Sequence, residues 1–229
     1  MKILAVADEE SPALYDYYTP GKLNGYDLIL GCGDMKAEYL TFLVTMSHAR
    51  LLYVHGNHDE KYLSSPPEGC DCIDDHLVVY NGIRILGLGG CKRYHPGPFQ
   101  YTETEMKWRL ARLQFALWRA GGVDVVLTHA PVRGYGDLDD PAHQGFSAFL
   151  RLLDRCHPLY LLHGHVHLRY AQDLSRMQTY GSTSIINVSD RYELEIPDRT
   201  VSLRHKDRLI WKTFHREPGN DWDSFHLQD

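Results

Sequence analysis

Carboxylate, carboxamide and imidazole side chains recur in this sequence at one kind of place, directly after a short apolar run. Gly56-Asn57-His58-Asp59 follows Leu51-Leu52-Tyr53-Val54, and Gly33-Asp34, Thr128-His129 and Gly164-His165-Val166-His167 follow runs of their own. Asp8 closes the first apolar run of the chain. Taken singly, an Asp or Asn in such a place is a turn former. Taken together, Asp8, Asp34, Asn57, His58, His129, His165 and His167 offer oxygens and imidazole nitrogens, a donor set that suits Mn, Fe or Zn. Seven groups exceed the needs of one tetrahedral ion. They fit two ions about 3.5–4 Å apart that share a bridging carboxylate. Such a pair generates hydroxide at neutral pH and clamps the oxygens of a displacement at phosphorus.

Loops at the carboxyl ends of buried strands are where α/β folds place chemistry of this kind. Apolar runs predict those strands at Lys2 to Ala7, Tyr26 to Leu30, Leu51 to His55, Val123 to Leu127 and Leu159 to Leu162. Glu38 to Ala49 has helical spacing, with Leu40, Leu43, Val44 and Met46 on one face. Thr102, with Glu105 three residues on, reads as a capping box. It opens a helix whose stripe is Met106, Leu110, Leu113 and Leu117 and whose end is Gly121-Gly122. Phe146, Phe149, Leu150 and Leu153 mark another helix, stopped by Pro158. Asn81-Gly82, between His76 to Tyr80 and Ile83 to Leu88, predicts a hairpin, which makes the sheet mixed. Ser184 to Val188, Tyr192 to Ile196 and Leu209 to Thr213 are expected as later strands of a second, more antiparallel sheet. Ser64 to Gly69, Gly89 to Pro98 and Gly134 to Gln144 read as loops, the second long enough to form a rim or lid. No long polar linker or repeat divides the chain, so residues 1–229 are expected to form one domain.

Composition narrows the function classes. With 43% hydrophobic residues the chain can bury a sizeable core. A net charge of −6 and a pI of about 6.1 argue against a general nucleic-acid binder or a binder of anionic membranes. No run approaches the roughly 20 apolar residues of a membrane span. The first apolar run is too short for a signal peptide, and Asp8, Glu9 and Glu10 stand where a cleavage region would be. Cys32, Cys70, Cys72, Cys91 and Cys156 form no disulfide framework, and reduced thiols in a cytoplasmic protein are expected.

The ordered set of motifs resembles the calcineurin-like metallophosphoesterases. Their pattern is Asp-x-His, Gly-Asp, Gly-Asn-His-Asp/Glu, a lone His, then Gly-His-x-His, and four of these five blocks stand here in order between Asp8 and His167. The resemblance implies an α/β fold, a four-layer sandwich of two mixed β-sheets flanked by helices. It implies a phosphoesterase with two divalent metal ions and a bridging hydroxide, acting on a phosphate mono- or diester. By position, Asp34 would bridge the metals, Asp8 and His167 would hold the first, and Asn57, His129 and His165 the second. His58 would face the substrate, steady the phosphoryl oxygens and protonate the leaving alcohol.

Two departures from the pattern matter. Glu10 stands where the family has His, so Glu10, Glu9 or water must complete the first site. Extended spacing favours Glu10 over Glu9. Losing an imidazole hardens that site towards manganese. Second, Gly33-Asp34-Met35-Lys36 lacks the Asp-Arg-Gly continuation of the Ser/Thr protein phosphatases, which points instead to phosphodiesterases and phosphatases of small, nucleotide-like substrates. In the rim loop, Lys92, Arg93, Tyr94 and His95 are candidates to contact a second phosphate or a base, with Arg93 the chosen substrate contact. His55 and His163 read as hydrogen-bonded near the core, and His48, His76, His157, His205, His215 and His226 as surface residues. The rival class is a protein-interaction module on the same fold with weak or lost catalysis. His58 separates the two, because such a module has no use for an imidazole that is not a ligand beside the metals.

Overall fold

The computed structural model describes residues 1–169 and 174–197. In chain order the elements are β1 (Lys2–Ala7), β2 (Leu28–Gly31), α1 (Ala37–Ser47), β3 (Arg50–Tyr53), β4 (Cys70–Cys72), β5 (Leu77–Tyr80), β6 (Ile83–Leu88) and β7 (Cys91–Lys92). There follow β8 (Gln100–Tyr101), α2 (Glu103–Ala120), β9 (Val125–Thr128), α3 (Ser147–Cys156), β10 (Tyr160–His163), β11 (Met177–Tyr180), β12 (Thr183–Asn187) and β13 (Asp190–Glu195). A 3₁₀ turn, Asp59–Leu63, follows the Gly56-Asn57-His58 loop.

Two mixed sheets result. The first runs β13-β1-β2-β3-β4, with β13 antiparallel to β1 and the other neighbours parallel. The second runs β11-β12-β10-β9-β6-β5, parallel in its centre with antiparallel strands at both edges. Central parallel strands are buried on both faces, which is why their sequences read as continuous apolar runs and not as alternation. In β1, Ile3 and Ala5 point between the sheets, where they meet Leu30, Leu52, Ile85, Leu127 and Leu162. Leu4 and Val6 point outward onto Tyr39, Leu40 and Leu43 of α1. On the far side, Val126, Leu161 and Ile185 pack under Met106 and Leu110 of α2 and Phe149 and Leu153 of α3. Three apolar layers thus separate four structural ones, α1, sheet, sheet, and α2 with α3. This is the four-layer α/β sandwich expected.

Local chemistry fixes the helix ends. Thr102 Oγ1 accepts the Glu105 N–H at 3.2 Å while Glu105 Oε2 accepts the Thr102 N–H at 2.6 Å, so the capping box forms as its sequence predicts. Gly121 ends the helix at φ +69°, a left-handed conformation that glycine adopts without strain.

One expectation needs correction. The strand expected at Tyr192 to Ile196 is present as β13, but it joins the first sheet and not the second. Its alternation, Glu193 out, Leu194 in, Glu195 out, suits any half-buried edge, and beside β1 Glu193 pairs with Lys2 at 3.1 Å. The edge strands β4 and β11 had no apolar signal, since Cys70-Asp71-Cys72 and Met177-Gln178-Thr179-Tyr180 are held by backbone pairing to β3 and β12. The predicted strand Leu209 to Thr213, and His205, His215 and His226, lie outside the described residues.

Candidate metal centre

The carboxyl ends of β1, β2 and β3 in one sheet and of β9 and β10 in the other face a common edge, and the predicted ligands gather there. Asp8 follows β1 at φ +66°, Asp34 follows the Gly31-Cys32-Gly33 turn at φ +58°, and His165 follows β10 at φ +69°. Left-handed backbone at residues with a Cβ is strained and persists where the surroundings over-determine it. Here the surroundings are hydrogen bonds between the loops. The His58 N–H donates to Asp34 Oδ1 (2.7 Å) and the His165 N–H donates to Asp8 Oδ1 (2.8 Å). Asp59 Oδ2 accepts two amides, Asp34 N–H at 2.9 Å and Gly56 N–H at 2.7 Å, and so ties the second motif to the third. The glycines permit this closeness. A Cβ on Gly56 would lie 2.0 Å from Asp34 Oδ1, and one on Gly164 would lie 2.9 Å from both Asp8 carboxylate oxygens.

His129 is the hub. It is fully buried, and its Nδ1–H donates to the Cys32 carbonyl at 2.7 Å. Its Nε2 then faces Asn57 Oδ1 at 3.1 Å, His165 Nδ1 at 3.1 Å and Asp34 Oδ2 at 3.2 Å. His165 is fixed in the complementary sense, its Nε2–H donating to the Ala142 carbonyl at 2.7 Å. Asn57 Nδ2 donates to the Tyr94 hydroxyl at 3.3 Å, which turns its amide oxygen inward. Each outer atom is thus anchored, and each inner atom presents a lone pair to the same point.

That arrangement fits a cation. Metal–ligand bonds of about 2.1 Å place neighbouring ligand atoms roughly 3.0–3.4 Å apart, the range of the three separations from His129 Nε2. Asp8 adds a second sign. Its Oδ2 is buried with no hydrogen-bond partner among the described residues, a costly state for a carboxylate oxygen without a cation. The protonation equilibria carry the same signature. Burial raises the pKa of Asp8, against the charge of His129. Burial also opposes charge on Asp34, yet His129 and the His58 N–H hold its pKa below the usual carboxylate range. Burial disfavours a charged His129, but Asp34 and Asp8 raise its pKa to about 9, while burial and that charge lower His165 to about 3.

The remaining predicted residues are placed as follows. His58 is exposed, and its backbone, not its ring, touches Asp34. His167 Nδ1 lies 3.1 Å from Glu9 Oε1, and Glu9 also pairs with Arg169 at 2.7 Å. Glu10 turns away to Lys36, 2.9 Å distant. Among the described residues, Asp34, His129 and His165 form a tight ligand group, while Asp8 and His167 do not close into another. Arg93 is held by Glu105 at 2.9 Å and by the Gln100 carbonyl, and Lys92 donates to Gln144 at 2.9 Å. His163 is buried, with its Nδ1–H on the Gly164 carbonyl, and His55 pairs with Asp74. Sequence reasoning gave no role to Asp59, placed Glu9 behind Glu10, and offered Tyr94 only as one of four rim-loop candidates for a phosphate or base. Asp59 was visible as the last letter of Gly-Asn-His-Asp; nothing in the sequence singled out Tyr94 from its neighbours in the rim loop.

The model of the calcineurin-like phosphoesterase family matches residues 5–169, and the chain belongs to that family. It is therefore a metal-dependent hydrolase of phosphate esters in the general sense of the family. Two crystal structures share the fold. One has a TM-score of 0.59 at 13% identity, covering 84% of this chain and 94% of that one. The other, TT1561 of Thermus thermophilus, has a TM-score of 0.56 at 17% identity, covering 82% of this chain and 89% of that one. Comparison with curated proteins gives no match. No helix among the described residues is long and apolar enough to cross a membrane.

Proposed function

We propose that residues 1–229 act as one domain that hydrolyses a small phosphate mono- or diester, nucleotide-like in kind, at a centre of two divalent ions. When bound, the ions supply a hydroxide nucleophile at neutral pH and neutralise charge on the phosphoryl oxygens. Asn57, His129 and His165 would hold one ion, Asp8 and His167 the other, and Asp34 would bridge them. The observation that carries this reading is the convergence of Asn57 Oδ1, His165 Nδ1 and Asp34 Oδ2 on His129 Nε2 at 3.1–3.2 Å. Glu9, against His167, is the nearest acid for completing the first ion's shell, with Glu10 engaged by Lys36. A site with one imidazole and several carboxylates favours manganese.

The chain's own residues have distinct tasks in this reading. His58, exposed beside Asp34, would donate a proton to the departing alkoxide. Tyr94 would set the Asn57 amide and form the wall nearest the substrate. Arg93 could meet a second phosphate only by exchanging Glu105 for it. All five cysteines are free thiols, consistent with a reducing cytoplasm.

Metal analysis together with a manganese-supplemented screen of phosphomonoesters and phosphodiesters tests the proposal. Wild type is expected to hold two equivalents of manganese at this centre and turn over at least one ester class, His129→Ala to lose one of them, and Asp34→Ala to lose both. Two retained equivalents in Asp34→Ala would remove the bridge. Full metal loading without turnover of any ester would favour the protein-interaction module.

A further inference from the structure

A second group of metal-ligand side chains lies outside the centre. β4 pairs in parallel with β3, with Tyr53 opposite Cys72. Side chains two residues apart on an extended chain share a face, so His55 and Asp74 continue the face that Tyr53 and Cys72 begin. Ile73, between them, turns the other way and is 2% exposed in the layer between the sheets. The three polar atoms meet: His55 Nδ1 is 2.7 Å from Asp74 Oδ2 and 3.6 Å from Cys72 Sγ.

Two of the three groups are held in place before any ligand arrives. The His55 imidazole stacks on Phe99 at 4.2 Å with the planes 8° apart, and Tyr53 meets its edge at 5.5 Å. Asp74 Oδ1 accepts the Gly89 N–H at 2.7 Å, which aims Oδ2 at His55. Gly89 has no room for a Cβ, since one would lie 2.3 Å from that same Oδ1. Cys72 is exposed, so the open side of the group faces water.

We propose that Cys72, His55 and Asp74 bind a zinc-class divalent ion, with water in the fourth position. Thiolate, imidazole and carboxylate are the three donor types zinc takes, and three protein ligands with one open position is a recurrent zinc geometry. With Zn–S about 2.3 Å and Zn–N about 2.05 Å, a 3.6 Å S···N separation corresponds to a bond angle of about 110°, close to tetrahedral. The Asp74 oxygen, now at hydrogen-bond distance, moves out by about half an ångström when the ion replaces the proton between it and His55. Binding releases the Cys72 thiol proton and the His55 Nδ1 proton to solvent. The ion ties the edge strand β4 to the chain that enters Gly56-Asn57.

Cobalt reads this site separately from the main centre, because none of the residues proposed for that centre is a thiolate. Metal-free full-length protein titrated with Co²⁺ should develop a near-ultraviolet sulfur-to-cobalt charge-transfer band, which Zn²⁺ then abolishes. Cys72→Ser should remove the band and lower bound zinc by one equivalent. His129→Ala should keep the band while losing metal from the main centre. Absence of the band in wild type overturns the proposal. So does a band that survives Cys72→Ser, or one that disappears in His129→Ala.

Discussion

Asp59 is the strut that holds Asp34, the carboxylate proposed to bridge the metals, and its removal should separate metal affinity from stability. Its Oδ2 accepts the Asp34 and Gly56 amides at 2.9 and 2.7 Å, and it is 3% exposed. Hydrogen bonds to a charged group contribute about 1.5–3 kcal/mol each, so the two together contribute roughly 3–6 kcal/mol. Against this stands the cost of keeping the charge buried. Burial, then the charge of Asp34, raise the Asp59 pKa to about 6, a rise that corresponds to roughly 3 kcal/mol. That rise is already net of the two amide bonds, which lower the pKa, so the large terms nearly cancel and Asp59→Ala should lose little stability.

Metal binding has no such compensation. Without the strut, Asp34 is no longer held at φ +58° by its own amide, and the loop bearing Asn57 loses its tie to the loop bearing Asp34. Loss of an outer partner of a ligand typically lowers metal affinity by about 10–100-fold. Asp59→Asn keeps an acceptor oxygen and should lie between wild type and Ala. Urea unfolding of the metal-free protein measures the first quantity, and calorimetric titration with Mn²⁺ the second. A variant Asp59→Ala that binds Mn²⁺ as wild type does, or that unfolds without urea, would refute the strut.

Three further outcomes are expected. His58→Ala should lower turnover by about 10²–10⁴-fold while keeping its metals, as measured by single-ester kinetics beside metal analysis; equal loss of metal and rate would make His58 structural. Burial lowers the His163 pKa from 6.5 to about 4, so the unfolded chain accepts a proton that the native one refuses. Its contribution is therefore full above pH 6.5 and is lost as pH falls towards 4, about 3 kcal/mol in all, and metal-free His163→Gln should show a correspondingly flatter urea midpoint over that window. Glu9→Ala should weaken the more loosely held manganese about tenfold and Glu10→Ala should leave it unchanged, with the reverse order in a Mn²⁺ titration refuting the assignment.

The fold was legible wherever burial dictates the pattern. Central strands covered on both faces give apolar runs, and β1, β2, β3, β9 and β10 were found within a few residues of where those runs lie. The capping box and the Asn81-Gly82 hairpin were legible because their chemistry is local. The other edge strands were not, since β4 is specified by what lies beside it in space, and β13 carried a strand pattern without an address.

At the candidate metal centre the residues that gather were legible and their hydrogen-bond partners were not. Spacing placed Glu10 on the same side as Asp8, because residues two apart on an extended chain face alike. That argument holds only while the chain stays extended. Asp8 sits at φ +66°, so the chain reverses its facing at the first residue of the motif. The reversal sends Glu9 to His167 and leaves Glu10 to Lys36. The same left-handed turn lets Asp8 Oδ1 take the His165 amide while Oδ2 points inward unpaired. One strained residue therefore presents the carboxylate to the centre and decides which neighbouring acid accompanies it, and a sequence records neither, because φ at a single aspartate is set by the loops packed around it.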